Sequence, residues 1–356
     1  MTTADDLVAR RFREFEQHGT RAPMYAAVAQ RIAADPEVRS VLQSAPAEQQ
    51  LPVLLFAAVH LLVLEGLVPD LAMYYPNMTA VPTAGDAYPA FRGAVLGHRR
   101  RLEQLISTRH TQTNEIGRCA TMLPGLAAAV AERGPISIVD VGASAGLNLQ
   151  LDRYCYDYGS GIVVGRDSSI VLHCSLRGQP PSGINVPTAV PVIAAAVGLD
   201  AHPIDVTDDD EVRWLEACVW PDMADRFHRL VDAVALARTA PPTVERGDAV
   251  ADVGRLVARA RMAGHPVVTT SWVLNYLSRD RQMAFVDELD RAADGDLTWI
   301  VAESPAETPG LPVPTTTPPE VLTVVSVVRW RGGERTVQRI GSTHPHGYWL
   351  AWDAGV

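Results

Sequence analysis

The sequence predicts an α/β protein whose mostly parallel sheet ends in an antiparallel hairpin, with an all-helical region in front of it. Three observations carry this. Residues 1–133 repeat apolar positions at the i, i+3, i+4 spacing of helices. From 136 onward, short β-patterned runs alternate with helical stretches, the signature of parallel strands joined by crossover helices. Near the end, two long β-patterned runs, 320–330 and 335–352, flank Arg331-Gly332-Gly333-Glu334 and read as a hairpin.

In chain order, helices are expected at 7–15, 24–34, 36–43, 51–66, 88–107 and 114–131, with breaks at Pro23, Pro36, Pro46, Pro69, Pro76 and Pro82. The run at 51–68, "LPVLLFAAVHLLVLEGLV", is apolar on nearly every side. It is short and interrupted by Pro52, His60, Glu65 and Gly66, so it reads as a buried core helix rather than a membrane span. Strands follow at 136–141, 169–175, 242–246, 266–271 and 297–303, with helices at 145–155, 190–197, 250–263 and 279–293. Extra helices interrupt the alternation at 199–238, and the proline-rich "TPGLPVPTTTPPE" leads to the hairpin. The expected domains are therefore a helical region, 1–133, and an α/β domain, 134–356, with a helical insertion around 199–238. Five parallel strands closed by an antiparallel hairpin match the Rossmann-like class I methyltransferase fold, whereas a dinucleotide-binding sheet adds a sixth parallel strand.

Composition narrows the function. A chain of 356 residues, 47% of them hydrophobic, can build a sizeable core. A net charge of −10 argues against binding phosphate backbones or anionic membranes. All 31 basic residues are arginine, which removes Schiff-base chemistry, a Walker lysine and any Ser-Lys dyad. Cys119, Cys155, Cys174 and Cys218 form no C-x-x-C pair and read as free thiols of a reducing compartment. "MTTADDLVARRFREF" lacks the apolar core of a signal peptide, so a cytoplasmic protein is expected. His344 and His346 lack a third ligand, and "DDD" at 208–210 reads as a helix start, so no metal is expected.

The chemistry concentrates at "SIVDVGASAGLNLQLDRY", residues 137–154. Gly142-Ala143-Ser144-Ala145-Gly146 fits either a cofactor turn or a G-x-S-x-G nucleophile elbow. An elbow needs an oxyanion loop upstream, and only helices precede this strand. His344 and His346 do lie downstream in the right order, yet the elbow would follow the first strand instead of a later one. The cofactor reading takes Asp140, Gly142, Ser144, Gly146 and Asn148 as ligand contacts, the glycines allowing a tight turn and close approach. A carboxylate is expected after the second strand, to hold a ribose diol. The end of 169–175 offers none; Asp200 or Asp205 serves if that strand lies later. Asp248, in "ERGDAV", is placed either to contact an adenine amino group or to cap the next helix.

Together "TRHTQTNEIGRCATMLPGL" (108–126), "VDVGASAGLNLQLDRYCYDYG" (139–159), "DEVRWLEACVWPD" (210–222), "RGDA" (246–249) and "HPHGYWLAW" (344–352) resemble the DUF2332 family of mostly actinobacterial proteins over nearly the whole chain. The resemblance implies a class I methyltransferase fold behind a helical N-terminal region.

The expected function is then an S-adenosylmethionine-dependent methyltransferase-like enzyme, acting by in-line displacement on a small molecule of secondary metabolism. Positioning, water exclusion and a base for one proton are its requirements. Glu115 is the candidate base, with Gln112, Asn114 and Arg118 orienting substrate; Thr113 or Asn114 would cap their helix. Tyr75, in the loop "MYYPNMTAVPTAGDAY", and Ser271 and Asn275, after the fourth strand, complete the candidates. Tyr154, Tyr156, Tyr158, Trp272 and Tyr276 offer aromatic faces to a sulfonium. Two alternatives remain. One is a cyclase or eliminase of the same fold, making a small ring by displacing a leaving group, and the other is a noncatalytic binding protein.

Overall fold

The computed structural model describes residues 4–18, 21–165, 167–312 and 323–353. The chain forms two compact units, one of residues 1–113 and 205–235, the other of 114–204 and 236–356. The first boundary falls at 113/114 and not at 133/134, because the helix Arg118–Arg133 packs on the sheet of the second unit.

The first unit is helical. Its centre is Pro52–Leu64, whose Leu54, Leu55, Phe56, Ala58, Val59 and Leu62 are all buried, as an all-round apolar helix requires. Phe56 stacks on Tyr25 and meets Phe12 and Phe91 edge-on. The expected helix at 88–107 is two, Tyr88–Gly97 and Arg99–Thr108, broken at His98. The one at 36–43 is a single turn, Pro36–Arg39, continued as a 3-10 helix. The inserted helices Asp209–Ala217 and Ala224–Arg238 lie where extra helices are expected, and Trp214 joins this unit's core.

The second unit carries strands β1 (Ile136–Val141), β2 (Cys155–Asp157), β3 (Val163–Val164), β4 (Val171–His173), β5 (Ser175–Arg177), β6 (Ile193–Asp200), β7 (Val244–Arg246), β8 (His265–Ser271), β9 (Asp296–Glu303), β10 (Thr323–Arg331), β11 (Glu334–Thr343) and β12 (Trp349–Trp352). Among the described residues the main sheet runs β5-β12-β11-β10-β9-β8-β1-β6-β7, and β3-β2-β4 form a small second sheet. β7, β6, β1, β8 and β9 are mutually parallel. β10 and β11 are the expected hairpin, antiparallel to each other and to β9. The proline-rich bridge from 313 onward lies outside the described residues. Val139, Val141, Val268, Trp299 and Val301 form a core on one face with Leu256, Phe285 and Leu289 of the crossover helices Ala249–Arg261 and Arg279–Ala292.

Three expectations fail here. Residues 190–197 are not a helix: Ile193–Asp200 is the second parallel strand, paired with β1 from Ile136 to Val141. The Ala-Ala-Ala stretch favours a helix locally, and pairing with a fully buried neighbour overrides it. Residues 169–175 are not that second strand, since β4 pairs with β2 in the small sheet and β5 joins the far edge through β12. The helix expected at 145–155 is a kinked 3-10 segment, Leu147–Arg153.

Candidate functional site

From β1 the chain crosses to β6 and β7 on one side, and β8 and β9 lie on the other. The reversal falls at the carboxyl ends of β1 and β8, the position at which open α/β sheets bind ligands. Asp140, the turn 142–146, Ser271 and Trp272 sit there by register, with Asp140 opposite Thr269. Two non-glycine residues at these strand ends are left-handed, Ser144 at φ 54° and Trp272 at φ 57°. Strain of this kind collects at functional sites.

The turn is held by side chains from two other segments. Asp200, at the carboxyl end of β6, accepts from the Ser144 N–H at 2.7 Å and the His202 N–H at 2.8 Å. It is the carboxylate expected after the second strand, in the position open to it once that strand is β6. Asn114 Oδ1 accepts from the N–H groups of Ala145, at 3.1 Å, and Leu147, at 3.0 Å. Gly142 and Ala143 donate to Leu199 O, and Gly146 donates to Ala143 O. Every backbone N–H from 142 to 147 is therefore engaged. A pyrophosphate needs such donors free, so this turn is not a phosphate cradle. Gly142, at φ 76°, is demanded by the chain itself: a Cβ there would lie 2.3 Å from Val273 Cγ2.

The segment 114–118 bridges the turn to a histidine corner. The helix begins at Arg118, so Asn114 caps the turn after β1 instead of its own helix, and Glu115 and Arg118 do not share a helical face. Glu115 is buried; its Oε1 accepts from the Gly117 N–H at 2.9 Å and its Oε2 lies 3.5 Å from His346 Nδ1. Arg118, also buried, donates to Pro345 O at 2.8 Å and to Ser271 O at 2.9 Å, with its guanidinium 6.0 Å from the Trp272 ring centre.

Several buried side-chain atoms at this edge have no hydrogen-bond partner among the described residues: Asp140 Oδ2, Ser144 Oγ, Ser271 Oγ, Asn275 Oδ1 and Glu303 Oε2. Buried polar groups are nearly always paired, so each of these five calls for an explanation. Asn275 Oδ1 can only accept, and the Asp140 and Glu303 carboxyls only accept once ionised. Asp140 Oδ1 accepts from the Thr269 hydroxyl at 2.6 Å. Burial pushes its carboxyl up to about 7; Thr269 and Arg118 pull it down, and the Asp200 charge pushes it further up. Burial likewise pushes Glu303 up to about 7, against the N–H groups of Val273 and Leu274 that Oε1 accepts.

The other candidates lie elsewhere or are otherwise engaged. Gln112 and Tyr75 belong to the helical unit. Tyr75 is fully buried against Tyr25 and His60, and burial pushes its phenol well up, so this side chain is core and not a proton carrier. Asn148 is half-buried, its Oδ1 3.5 Å from Cys119 Sγ. Asp248 caps Ala249–Arg261 through Val250 and Ala251 and pairs with Arg281. Tyr154, Tyr156 and Tyr158 are buried, and their hydroxyls donate to Leu147 O, Leu151 O and Ala120 O, so they support the fold and offer no open aromatic face. Ser144 Oγ has no base bonded to it, which leaves the nucleophile elbow without its second member. Glu303 and Thr269 went unread in the sequence; a lone acid ending the apolar run "WIVAE" was the available signal for Glu303.

No helix among the described residues is long and apolar enough to cross a membrane. Nor, among them, do three or more His, Cys, Asp or Glu side chains gather to hold a metal ion. Fold and site together define an α/β protein with a large, mostly parallel sheet and a group of unpaired buried side-chain atoms at its carboxyl edge. A family model described as an uncharacterized protein conserved in bacteria, DUF2332, matches residues 9–352, and the chain belongs to that family. No curated protein matches it.

Proposed function

We propose that this carboxyl edge binds S-adenosylmethionine and that the protein transfers its methyl group to a small molecule by in-line displacement. The observation that carries the reading is the cluster of unpaired buried acceptors beside a turn whose N–H groups are all engaged. Such a site suits a ligand that brings donors and positive charge and no phosphate. S-adenosylmethionine is of that kind, with an ammonium, a sulfonium and a ribose diol. The sheet supports the class I methyltransferase reading, since β10 runs antiparallel beside β9 where a dinucleotide-binding domain has a sixth parallel strand.

The residues fit the group as follows. Asp140 Oδ2 and Ser144 Oγ offer acceptors at the end of β1, and Asp200 stands where a ribose diol would be held. Ser271, Asn275 and Glu303 line the ends of β8 and β9, on the acceptor's side. When bound, S-adenosylmethionine supplies an electrophilic methyl carbon on sulfur. The chain's own part is to orient the acceptor against that carbon, exclude water and take one proton. Asp200 also removes the weakness that favoured the cyclase, a second strand without its acid.

Calorimetric titration with S-adenosylmethionine, with NAD as a control, followed by mass analysis of products, tests this. Binding of the first but not the second, and a methylated product, are expected. Methylthioadenosine with a new ring would replace transfer by cyclisation. Binding without turnover would leave a binding protein, and absence of binding overturns the reading.

A further inference from the structure

The helical unit buries a titratable side chain that the strand-end site does not use. His60, within Pro52–Leu64, is 0% exposed. Its Nδ1 lies 3.0 Å from Ala217 O, at the end of the helix Asp209–Ala217. Its Nε2 lies 3.0 Å from Asn77 Nδ2, in the segment that follows Pro69–Ala72. A carbonyl only accepts and an amide N–H2 only donates. Both contacts are therefore hydrogen bonds at once only in the neutral tautomer with its proton on Nδ1. The Asn77 amide is turned to suit this tautomer, and its own Oδ1 is buried with no hydrogen-bond partner among the described residues. One neutral imidazole thus joins two distant segments to the central helix of the unit.

We infer that His60 is a one-proton latch of the helical unit: neutral, it holds residues 73–79 and the end of Asp209–Ala217 on the central helix, and protonated in mild acid it releases both. A proton on Nε2 sets an N–H against the Asn77 N–H2. Turning the amide brings Oδ1 to meet it, yet the imidazolium stays buried, and no carboxylate is bonded to it among the described residues. Burial holds the ring down to about 4, against the Ala217 and Val219 backbone, which favours the charged form. The titratable groups around it are Tyr75, its ring 5.2 Å away, Tyr25 next to Tyr75, Cys218, Asp222 and, beyond the Phe227 ring, His228. Burial pushes both phenols, the thiol and the Asp222 carboxyl up, and Asp222 accepts the Met24 and Tyr25 N–H groups. On the other helices packed against Pro52–Leu64, Asp5 pairs with Arg39, Arg10 with Glu14, Arg92 with Asp35, Arg99 with Glu103 and Arg101 with Glu65. The latched ring stays neutral where a released one takes a proton. The latch is therefore fully closed above about pH 6.5 and loosens as pH falls toward 4.

Hydrogen exchange of the intact protein at pH 7.5 and pH 5, followed by peptide mass analysis and corrected for the intrinsic pH dependence of exchange, tests this. Residues 73–79 and 213–219 should lose protection together, their opening equilibrium rising about 30-fold between the two pH values. Equal protection at both, or loss in one segment only, overturns the proposal. His60→Gln has no proton to take, so its two segments should be protected equally at both pH values. An acid loss that persists in the folded variant belongs to another group and overturns the assignment. Asn77→Asp sets a carboxylate against Nε2 and should raise the His60 midpoint above an ordinary histidine's roughly 6.5, restoring protection at pH 5; an unchanged midpoint in a folded variant overturns the geometry. The wild-type ring provides a readout that needs no variant to fold. By 15N NMR the proton should sit on Nδ1 at pH 7.5, with a midpoint well below roughly 6.5. A proton on Nε2 instead, or a midpoint at or above that value, refutes the latch. None of these measurements uses S-adenosylmethionine, so their outcome is separate from that of the cofactor reading.

Discussion

Asp140→Asn should make the protein more stable and poorer at binding, and the size of the gain should depend on pH. The Asp140 carboxyl is 3% exposed, with Oδ2 unpaired, and burial carries it from an ordinary 3.8 to about 7. Between those values the folded protein holds a proton that the unfolded chain has released. Its contribution to stability is therefore full below about pH 4 and is lost as pH rises toward 7. The loss has a ceiling of about 4 kcal/mol at pH 8, with about 1.5 kcal/mol of it already present at pH 5. Asparagine carries no charge to bury, and its oxygen can still accept the Thr269 hydroxyl. Calorimetric unfolding of variant and wild type at pH 5 and pH 8 isolates this group, because the other titrations cancel at each pH. The variant's advantage should grow by about 2–3 kcal/mol between the two, roughly 5–10 °C in a unit of this size. An advantage that is equal at both pH values, or a variant less stable at pH 8, would show that the carboxylate is already paired in the folded protein. The case for a cationic ligand would fall with it.

Two further outcomes are expected. Gly142→Ala should cost about 2–4 kcal/mol in urea unfolding, from a left-handed backbone and overpacking on Val273, and Val273→Ala should recover part of it; a neutral Gly142→Ala refutes the packing argument, and this cost makes the position unsuitable for testing ligand contact by itself. Asn114→Ala should leave the Ala145 and Leu147 N–H groups unpaired, costing about 2–4 kcal/mol and weakening S-adenosylmethionine binding; unchanged affinity in a folded variant would show that the turn does not need its brace.

The sequence disclosed the parts of the site whose chemistry is local. A strand ending in Asp140 before Gly142-x-Ser144-x-Gly146 could be read from pattern alone, as could Asn114, Glu115 and Arg118 as an odd polar group beside an apolar helix. What they do was not legible, because it depends on pairing between distant segments. Asn114 looks like a helix cap until β1 brings residues 145–147 beneath it. Ala194-Ala195-Ala196 looks helical until β1 supplies a ladder, and misreading it hid Asp200 at the end of the correct strand. Glu303 shows nothing until β8 and β9 align and its carboxylate meets the Val273 and Leu274 N–H groups. Residues 145–155 misled through composition, since Leu147–Leu151 has a helix's apolar spacing while Gly146, left-handed at φ 71°, starts a tighter turn.

The kind of ligand this edge would suit follows from which polar atoms the fold satisfies and which it leaves. A Rossmann-type turn ordinarily keeps its N–H groups for an anion. Here Asn114 and Asp200, from segments on either side, consume those donors and convert the turn into a closed, rigid piece of backbone. Meanwhile the strand ends expose oxygens to nothing: Asp140 and Glu303 carry carboxyls that burial holds near neutrality. Each such group weakens the folded state at pH 7 and above, and a protein under no demand for them would carry asparagine, glutamine or an apolar residue instead. A ligand with positive charge reverses the penalty, because it restores the ionised carboxylate and gains the full interaction in a site from which water is excluded. Affinity for such a ligand should therefore rise with pH through the same interval in which the empty protein loses stability. That opposition separates a cation site from a dinucleotide site, which would tighten with falling pH as the same carboxyls became neutral.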